Sequence, residues 1–442
     1  MAYVVLGLGR TGLAVVRYLK KRQFPIIVAD TRMQPPNLKI FQQKFPEVVL
    51  HVGALPIEAM LNAQAVIAPP GLALTHPIFE TLKEKNVPVW GDIELFAQQA
   101  QAPAIAITGA NGKSTVTSLV GAMAKSSNLD SLVGGNIGVP ALDLLESQTH
   151  PQCYVLELSS FQLETTYSLK PQVACILNIT RDHLDRHGSL DAYVKAKQRI
   201  YHGAQWAIYN RHDVLTKPTF DVPHSITFGL DEPKTGHFGI RTHNGLRWVA
   251  YGSELWLPVN KILLFGRHNV LNALSALSIG TAFGFSKESM LKELQTFKDL
   301  KHRCQFIKKL HEVTWINDSK GTNVGATVAA IESVGEHIHG KIVLIAGGKA
   351  KDTDFSDLKP WVSKYVKQVL LIGQDGHLVG DALKDCAPCL EAGTMNAAVS
   401  LASNLAKPGD AVLLSPACTS LDVYANFEER GDAFVQAVQE VK

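Results

Sequence analysis

The 442-residue chain reads as an α/β protein of three domains. The expected parts are a Rossmann-like N-terminal domain, a central P-loop-type parallel sheet with an added antiparallel part, and a Rossmann-like C-terminal domain. Three observations predict this. Short apolar runs alternate with helical patterns along most of the chain, the order that builds parallel sheets. Two glycine-rich loops in different blocks each follow a strand and open a helix. The length is roughly three times the ~150 residues usual for one domain. The expected limits are 1–92, 93–298 and 299–442.

The first block opens with a strand from Tyr3 to Leu8, a helix from Thr11 to Arg22 and a strand from Ile26 to Ala29, and continues through Ala65–Ala68 and Val87–Trp90. A low-complexity helical stretch, LFAQQAQAP, then ends at Pro103. The second block begins with the strand Ala104–Thr108 and a helix over Val116–Lys125, followed by strands at Tyr154–Glu157 and Ala174–Leu177. From Trp206 to Phe265 short alternating runs with Gly, Asn and Pro turns, such as HNGLRWVAYG, suggest appended antiparallel strands. A helix over Asn269–Phe283 closes the block. The third block, from about Leu300, returns to alternation, with strands at Ile342–Ala346, Val369–Ile372 and Val412–Leu414.

Composition excludes several classes. Hydrophobic residues are 46% and charged residues 19%, so the chain is neither a disordered polyelectrolyte nor a membrane protein. The net charge is +3, and the densest basic clusters, Lys20-Lys21-Arg22 and Lys308-Lys309, are short; no nucleic-acid partner is expected. Gly7, Gly9 and Arg10 interrupt the first apolar stretch too early for a signal peptide, which makes the cytoplasm the expected compartment. The six cysteines are scattered and form no disulfide framework, and Cys386-Ala-Pro-Cys389 lacks the second pair a zinc site would need.

Gly7-Leu-Gly9-Arg10-Thr11-Gly12 follows a strand and opens a helix, and Asp30 ends the next strand 18 residues after Gly12. Such glycines let backbone approach a diphosphate at a helix N-terminus, where N–H groups and the dipole favour an anion. The motif specifies a diphosphate; a dinucleotide and a nucleotide-sugar satisfy it equally. Gly109-Ala110-Asn111-Gly112-Lys113-Ser114-Thr115 is a second phosphate-type loop, shorter than GxxxxGKS. Its N–H groups would cradle phosphates, Lys113 would neutralise them and Ser114 would reach Mg²⁺. Two such loops imply two phosphate-bearing ligands, one more than a NAD-dependent oxidoreductase needs.

Glu157 closes a strand near the phosphate loop, where such folds place a Mg²⁺ ligand. His183 lies beyond another strand end in NITRDHLDRHG. With His187 it has i, i+4 spacing, but a zinc helix would need the Glu of HExxH. Lys195 and Lys197 lie in AYVKAKQRIY, a helix on which two lysines are ordinarily solvated.

The motifs GANGKST, ELSSFQLE, NITRDHLDRHG, AKQRIY, GRHNVLNALSAL, NDSKGTN and SPACTSLDVYANFEERG occur in this order. On them the whole chain resembles the Mur ligase family. Its two ends, GLGRTG with Asp30-Thr31-Arg32 and the SPACTSLDVYANFEERG segment, are similar to the D-glutamate-adding branch. The resemblance implies ATP-dependent ligation of D-glutamate to UDP-N-acetylmuramoyl-L-alanine through an acyl phosphate, in peptidoglycan precursor synthesis. It also implies a monomer that closes around ATP and Mg²⁺ bound between its central and C-terminal domains.

The resemblance assigns residues too. Arg10, Thr11, Gly12, Asp30, Thr31, Arg32 and Gly71 match the uridine diphosphate pocket, and Asn136 faces both it and ATP. Gly109 to Thr115 match the ATP loop; Asn272, Arg303 and Asp318 match the nucleoside contacts. Ser114, Glu157 and His183 match magnesium ligands, joined by Lys197 as a carbamate. Lys113, His183, Lys197 and Lys320 carry the catalytic roles. Thr322, Lys351, Ser420, Leu421 and Phe427 match the D-glutamate pocket, with Lys349 the rival to Lys351. The chain departs from the family pattern at Ala110 (Thr is usual), Gly321 (Ala is commoner) and His187 (Tyr is expected).

Overall fold

The computed structural model describes residues 1–263, 266–297, 300–350 and 354–441. Lys351, Phe265 and the expected boundary at 298/299 lie outside them. By compactness the chain forms two units. The first comprises Met1–Ile179, Arg186–Pro258 and Leu274–Glu293, and the second comprises Thr180–Asp185, Val259–Ala273 and Leu294–Lys442.

The first unit contains two sheets. In the five-stranded one, β1 (Tyr3–Leu6), β2 (Ile26–Asp30), β3 (Val49–Val52), β4 (Ala65–Ile67) and β5 (Val89–Trp90) lie in the order 3-2-1-4-5. All its pairings are parallel. Strand order reverses between β1 and β4, and ligands of such sheets bind beyond the carboxyl ends at that switch. The loops leaving these two strands carry Gly7–Gly12 and Gly71.

The nine-stranded sheet contains β6 (Ala104–Thr108), β7 (Ser131–Gly135), β8 (Cys153–Glu157), β9 (Val173–Ile176), β10 (Trp206–Asn210), β11 (His224–Phe228), β12 (Phe238–His243), β13 (Leu246–Tyr251) and β14 (Glu254–Pro258). Their order is 14-13-12-11-10-9-6-8-7. Its central strands are buried on both faces, so they read as continuous apolar runs such as AIAIT. The antiparallel part is smaller than the turn pattern predicts. Strands β10 and β11 pair in parallel, and antiparallel pairing begins only at β12–β13. The tight turn Asn244-Gly245, with φ of 49° and 73°, sets that hairpin.

One apolar core runs through both sheets of this unit, from Val5, Val16 and Val28 to Phe96, Tyr154 and Leu156. Ionic contacts supplement it. On the helix Arg10–Lys21 and just after it, Arg17, Lys21 and Arg22 pair with Asp143 and Glu146. After Gly91, Asp92 accepts from Gln162, and Glu94 accepts from Tyr167 and Ser168. Burial pushes the Asp92 carboxyl up to about 6.

In the second unit β15 (Gln305–Leu310), β16 (Val313–Asn317), β17 (Ile342–Gly347), β18 (Val366–Ile372), β19 (Cys389–Gly393) and β20 (Ala411–Leu414) form a sheet in the order 15-16-20-17-18-19. Only β15–β16 is antiparallel. Asn323 and Asn426 cap the helices Val324–Gly335 and Phe427–Glu440, each accepting from the backbone N–H three residues on. Among the described residues no helix is long and apolar enough to cross a membrane. Cys386 and Cys389 are free thiols.

Candidate functional site

At the carboxyl end of β1 the backbone turns on Gly7 (φ 77°) into the helix Arg10–Lys21. A Cβ on Gly12 would stand 1.9 Å from the Gly7 carbonyl, so only glycine lets helix and strand approach this closely. A Cβ on Gly9 or Gly71 would meet nothing within 4 Å, leaving room for a ligand at both loops. Asp30 is 2% exposed and does not present its carboxylate to that space. Oδ2 accepts from the Leu8 N–H at 2.7 Å, and Arg32 engages both oxygens at 2.9 and 2.7 Å. The Arg32 hydrogen bond is the main cause that holds the Asp30 carboxyl down at about 2. In a dinucleotide site this acid would accept from a ribose diol; here it is neutralised and braces the glycine loop. Thr31 and Arg32 are exposed beside it, while Thr11 is half-buried. The Arg10 guanidinium donates to the carbonyl of Gly138, in the loop that carries Asn136.

The second cluster lies along the carboxyl edge of the nine-stranded sheet. There β7, β8, β6 and β9 are neighbours, and their ends carry Gly135-Asn136, Glu157, the phosphate-type loop and Asn178. Gly109 (φ 159°) and Gly112 (φ 81°) let the loop fold back before the helix Lys113–Ser126. Lys113 Nζ donates to the carbonyls of Gly109 and Ala110 at 2.8 and 2.9 Å. The loop's own oxygens therefore hold the ammonium at this positive helix end, a partner the sequence does not announce. Ser114 and Thr115 are buried in the first turn.

Lys197 separates sharply from Lys195. Lys195 is exposed, whereas Lys197 is 1% exposed. Lys197 Nζ donates to the Gly109 carbonyl at 2.9 Å and to Thr108 Oγ1 at 3.3 Å, and lies 4.7 Å from the Tyr193 ring centroid. A helix-face lysine thus ends at the base of the phosphate-type loop. Glu157 is 3% exposed; Oε1 accepts from Asn136 at 2.8 Å, while buried Oε2 has no hydrogen-bond partner among the described residues. A buried carboxylate oxygen of this kind suits a hard cation such as Mg²⁺, which takes one or two carboxylates and keeps waters. Among the described residues no three His, Cys, Asp or Glu side chains gather as a metal cage. His187 has both ring nitrogens engaged, with Ser160 Oγ at 2.9 Å and Glu164 Oε1 at 3.2 Å, so it serves the local packing.

The second unit holds the remaining candidates. His183, at φ 55°, stands 3.5 Å from Asp182. Asn272 is buried and donates to Asn269 at 2.9 Å. Arg303 is half-buried. Burial lowers His268 to about 4, with the Arg303 charge adding to the effect. Asp318, leaving β16, accepts from Ser415 Oγ at 2.7 Å and from the Cys304 N–H at 3.2 Å. Lys320 Nζ sits 3.8 Å above the Phe427 ring, and the Thr322 N–H donates to the Lys320 carbonyl. Ser420 is buried and Leu421 is 66% exposed. Lys349 is exposed, with its backbone paired to Thr419.

Sequence reasoning missed two residues here. Asn178 grips the phosphate-type loop. Arg430, buried at 1% exposure, ties the Ser319 carbonyl and hydroxyl to the Cys418 carbonyl. Neither has a motif of its own beyond lying in NIT and FEERG.

These features define a three-sheet α/β fold with two glycine-rich strand-to-helix loops of the phosphate-binding type, and comparison with known proteins shows the family. Profiles of a MurD-like Mur ligase N-terminal domain, a Mur ligase middle domain and a Mur ligase glutamate ligase domain match residues 1–91, 107–280 and 302–418. The chain belongs to the Mur ligase family. It is 47% identical to the UDP-N-acetylmuramoylalanine-D-glutamate ligase of Legionella pneumophila strain Paris, over 99% of this chain and 98% of that one. It is 45% identical to the enzyme of that name from Pseudomonas aeruginosa, over 99% and 98%. Among solved structures, MurF from Acinetobacter baumannii shares the fold, with a TM-score of 0.63 at 19% identity over 99% of this chain and 90% of that one.

Proposed function

We propose that the chain joins D-glutamate to UDP-N-acetylmuramoyl-L-alanine, using ATP, in cytoplasmic peptidoglycan precursor synthesis. It would act as a monomer with modules at 1–92, 93–298 and 299–442. The choice of substrates is supported by near full-length likeness to relatives of that name. The observation that carries the chemistry is the convergence of Lys113 and Lys197 on the carbonyls of one phosphate-type loop, with Glu157 at the adjoining strand end, one of its oxygens without a hydrogen-bond partner among the described residues.

A carboxylate is a poor electrophile, and phosphorylation gives it a leaving group; the D-glutamate amine then attacks the acyl phosphate. Catalysis by the chain is positioning and charge neutralisation. The helix end at 112–115 cradles the phosphates, and Lys113 turns from the loop carbonyls to their oxygens. By the family resemblance, Ser114, Glu157, His183 and a carbamylated Lys197 would hold Mg²⁺, which when bound would screen phosphate charge. The Lys197 carbamate would keep one N–H able to donate to the Gly109 carbonyl while presenting an oxygen ligand. Asn272, Arg303 and Asp318 bind the nucleoside, and Lys320 neutralises the transferred phosphate.

Arg10, Thr11, Gly12, Thr31, Arg32 and Gly71 take the uridine diphosphate, with Asn136 near both nucleotides. Asp30 acts by bracing Leu8 and Arg32. Thr322, Lys351, Ser420, Leu421 and Phe427 receive D-glutamate. Phosphate release from ATP tests the reading: it should require UDP-N-acetylmuramoyl-L-alanine and turn over fully only with D-glutamate. Equal release with neither present would make the chain a simple ATPase.

A further inference from the structure

The phosphate-type loop is held by a residue on the neighbouring strand end, Asn178, one position past Leu177. The Asn111 N–H donates to Asn178 Oδ1 at 2.8 Å, and Asn178 Nδ2 donates to the Asn111 carbonyl at 3.0 Å. The Asn178 main-chain carbonyl accepts from the Ala110 N–H at 2.9 Å, and the Leu177 N–H donates to the Thr108 carbonyl at 2.9 Å. One side-chain amide thus imitates a strand. It extends the β6–β9 ladder by two residues into a segment whose glycines would otherwise leave it loose. This pairing also turns the N–H groups of Ala110 and Asn111 toward Asn178, so the phosphate-facing donors must come from Gly112 onward, at the helix start.

We propose that Asn178 is a positioning residue that pre-forms the phosphate loop before nucleotide binds, so that ATP meets a rigid cradle. The inference rests on the ATP reading above. Losing the side-chain pair lowers the population of the competent loop. With the wild-type loop formed about ten times more often than open, losing two net hydrogen bonds shifts that ratio about 100-fold, which lowers the competent fraction, and with it the ATP affinity, about tenfold.

Three measurements test it. In nucleotide-free wild-type protein the Asn111 amide should exchange with solvent about 10-fold slower than an unstructured amide; an unprotected amide overturns the proposal. Asn178→Ala should weaken ATP and ADP binding about tenfold while leaving adenosine binding and the KM values for both other substrates within about twofold. Asn178→Asp keeps the size and the acceptor but lacks the donor and adds negative charge; it should weaken ATP more than Asn178→Ala does, and it keeps the test alive if the alanine variant fails to fold. ATP affinity within twofold of wild type in both variants refutes the positioning role. A uniform loss across all substrates with a fall in Tm refutes it in favour of a merely structural one. Wild-type protein that binds no ATP would instead refute the ATP reading itself.

Discussion

Replacing Lys197 by Ala removes a side chain that the structure buries to 1% exposure at the foot of the phosphate-type loop. The Gly109 carbonyl and Thr108 Oγ1 both lose a donor. The Gly109 carbonyl keeps Lys113 as a donor and Thr108 Oγ1 keeps its own bond to the Leu158 carbonyl, so the loss is that of two net hydrogen bonds, about 0.5–1.5 kcal/mol each. The contact with Tyr193, at 4.7 Å, contributes up to about 2 kcal/mol when desolvated. The four methylenes leave a void, whereas removing a buried ammonium recovers desolvation free energy and offsets part of the loss. The net expectation is a destabilisation of about 2–4 kcal/mol, against less than about 0.5 kcal/mol for exposed Lys195→Ala. Urea unfolding midpoints of the two variants, with Lys197→Met as the stem-preserving control, give the comparison. The ligase assay should separate them further: Lys197→Ala loses most activity, Lys195→Ala keeps it, and short carboxylic acids partly restore the former by supplying the missing anion. A Lys197→Ala protein as stable and as active as Lys195→Ala would refute the reasoning.

Three more outcomes follow from single contacts. The buried Asp92 carboxyl titrates near 6 when folded and near 3.9 unfolded, so the unfolded chain gives up its proton first; this group's contribution falls by about 2 kcal/mol as pH rises from 4 to 6. Asp92→Asn should flatten thermal stability across that window, and an unchanged slope would contradict it. A methyl group at Gly321 would lie 2.5 Å from Asp318 Oδ2 and 2.6 Å from Ser415 Oγ. Gly321→Ala should therefore raise the KM for ATP and cost about 1–3 kcal/mol by overpacking; wild-type values for both would show that Asp318 shifts freely. Lys351→Ala should raise the KM for D-glutamate at least tenfold if it loses the charge-assisted contact proposed for it, with little effect at exposed Lys349. The reverse pattern would move the assignment to Lys349.

Much of this was legible because local chemistry and global fold agree. Gly7, Gly9 and Gly12 announce a strand-to-helix turn, and the structure shows why each is small: a positive φ, open space and a 1.9 Å approach. Buried strands such as Ala104–Thr108 announce themselves as apolar runs. Strands β3 and β7 do not, since their residues are largely exposed or half-buried and carry Gly or His. The pairing direction of β10 and β11 was hidden because short runs with turns look alike in either orientation. Lys197 and Lys195 have the same local pattern, and only tertiary packing tells the buried one from the solvated one. Asp30 was legible as an acid at a strand end but not as one whose oxygens Leu8 and Arg32 consume. Asn178 and Arg430 work through backbone groups distant in sequence, which no motif spacing records.

The central claim is that a phosphorylated carboxylate of the UDP-linked substrate is captured by D-glutamate. Incubating the protein with Mg²⁺, ATP, UDP-N-acetylmuramoyl-L-alanine and radiolabelled D-glutamate, and following label and phosphate together, tests it most directly. The account predicts label entering the UDP-linked product in a one-to-one ratio with phosphate released, and neither process without the UDP-linked substrate. Phosphate released at the same rate in the absence of that substrate, with no label in the UDP-linked fraction, would contradict it.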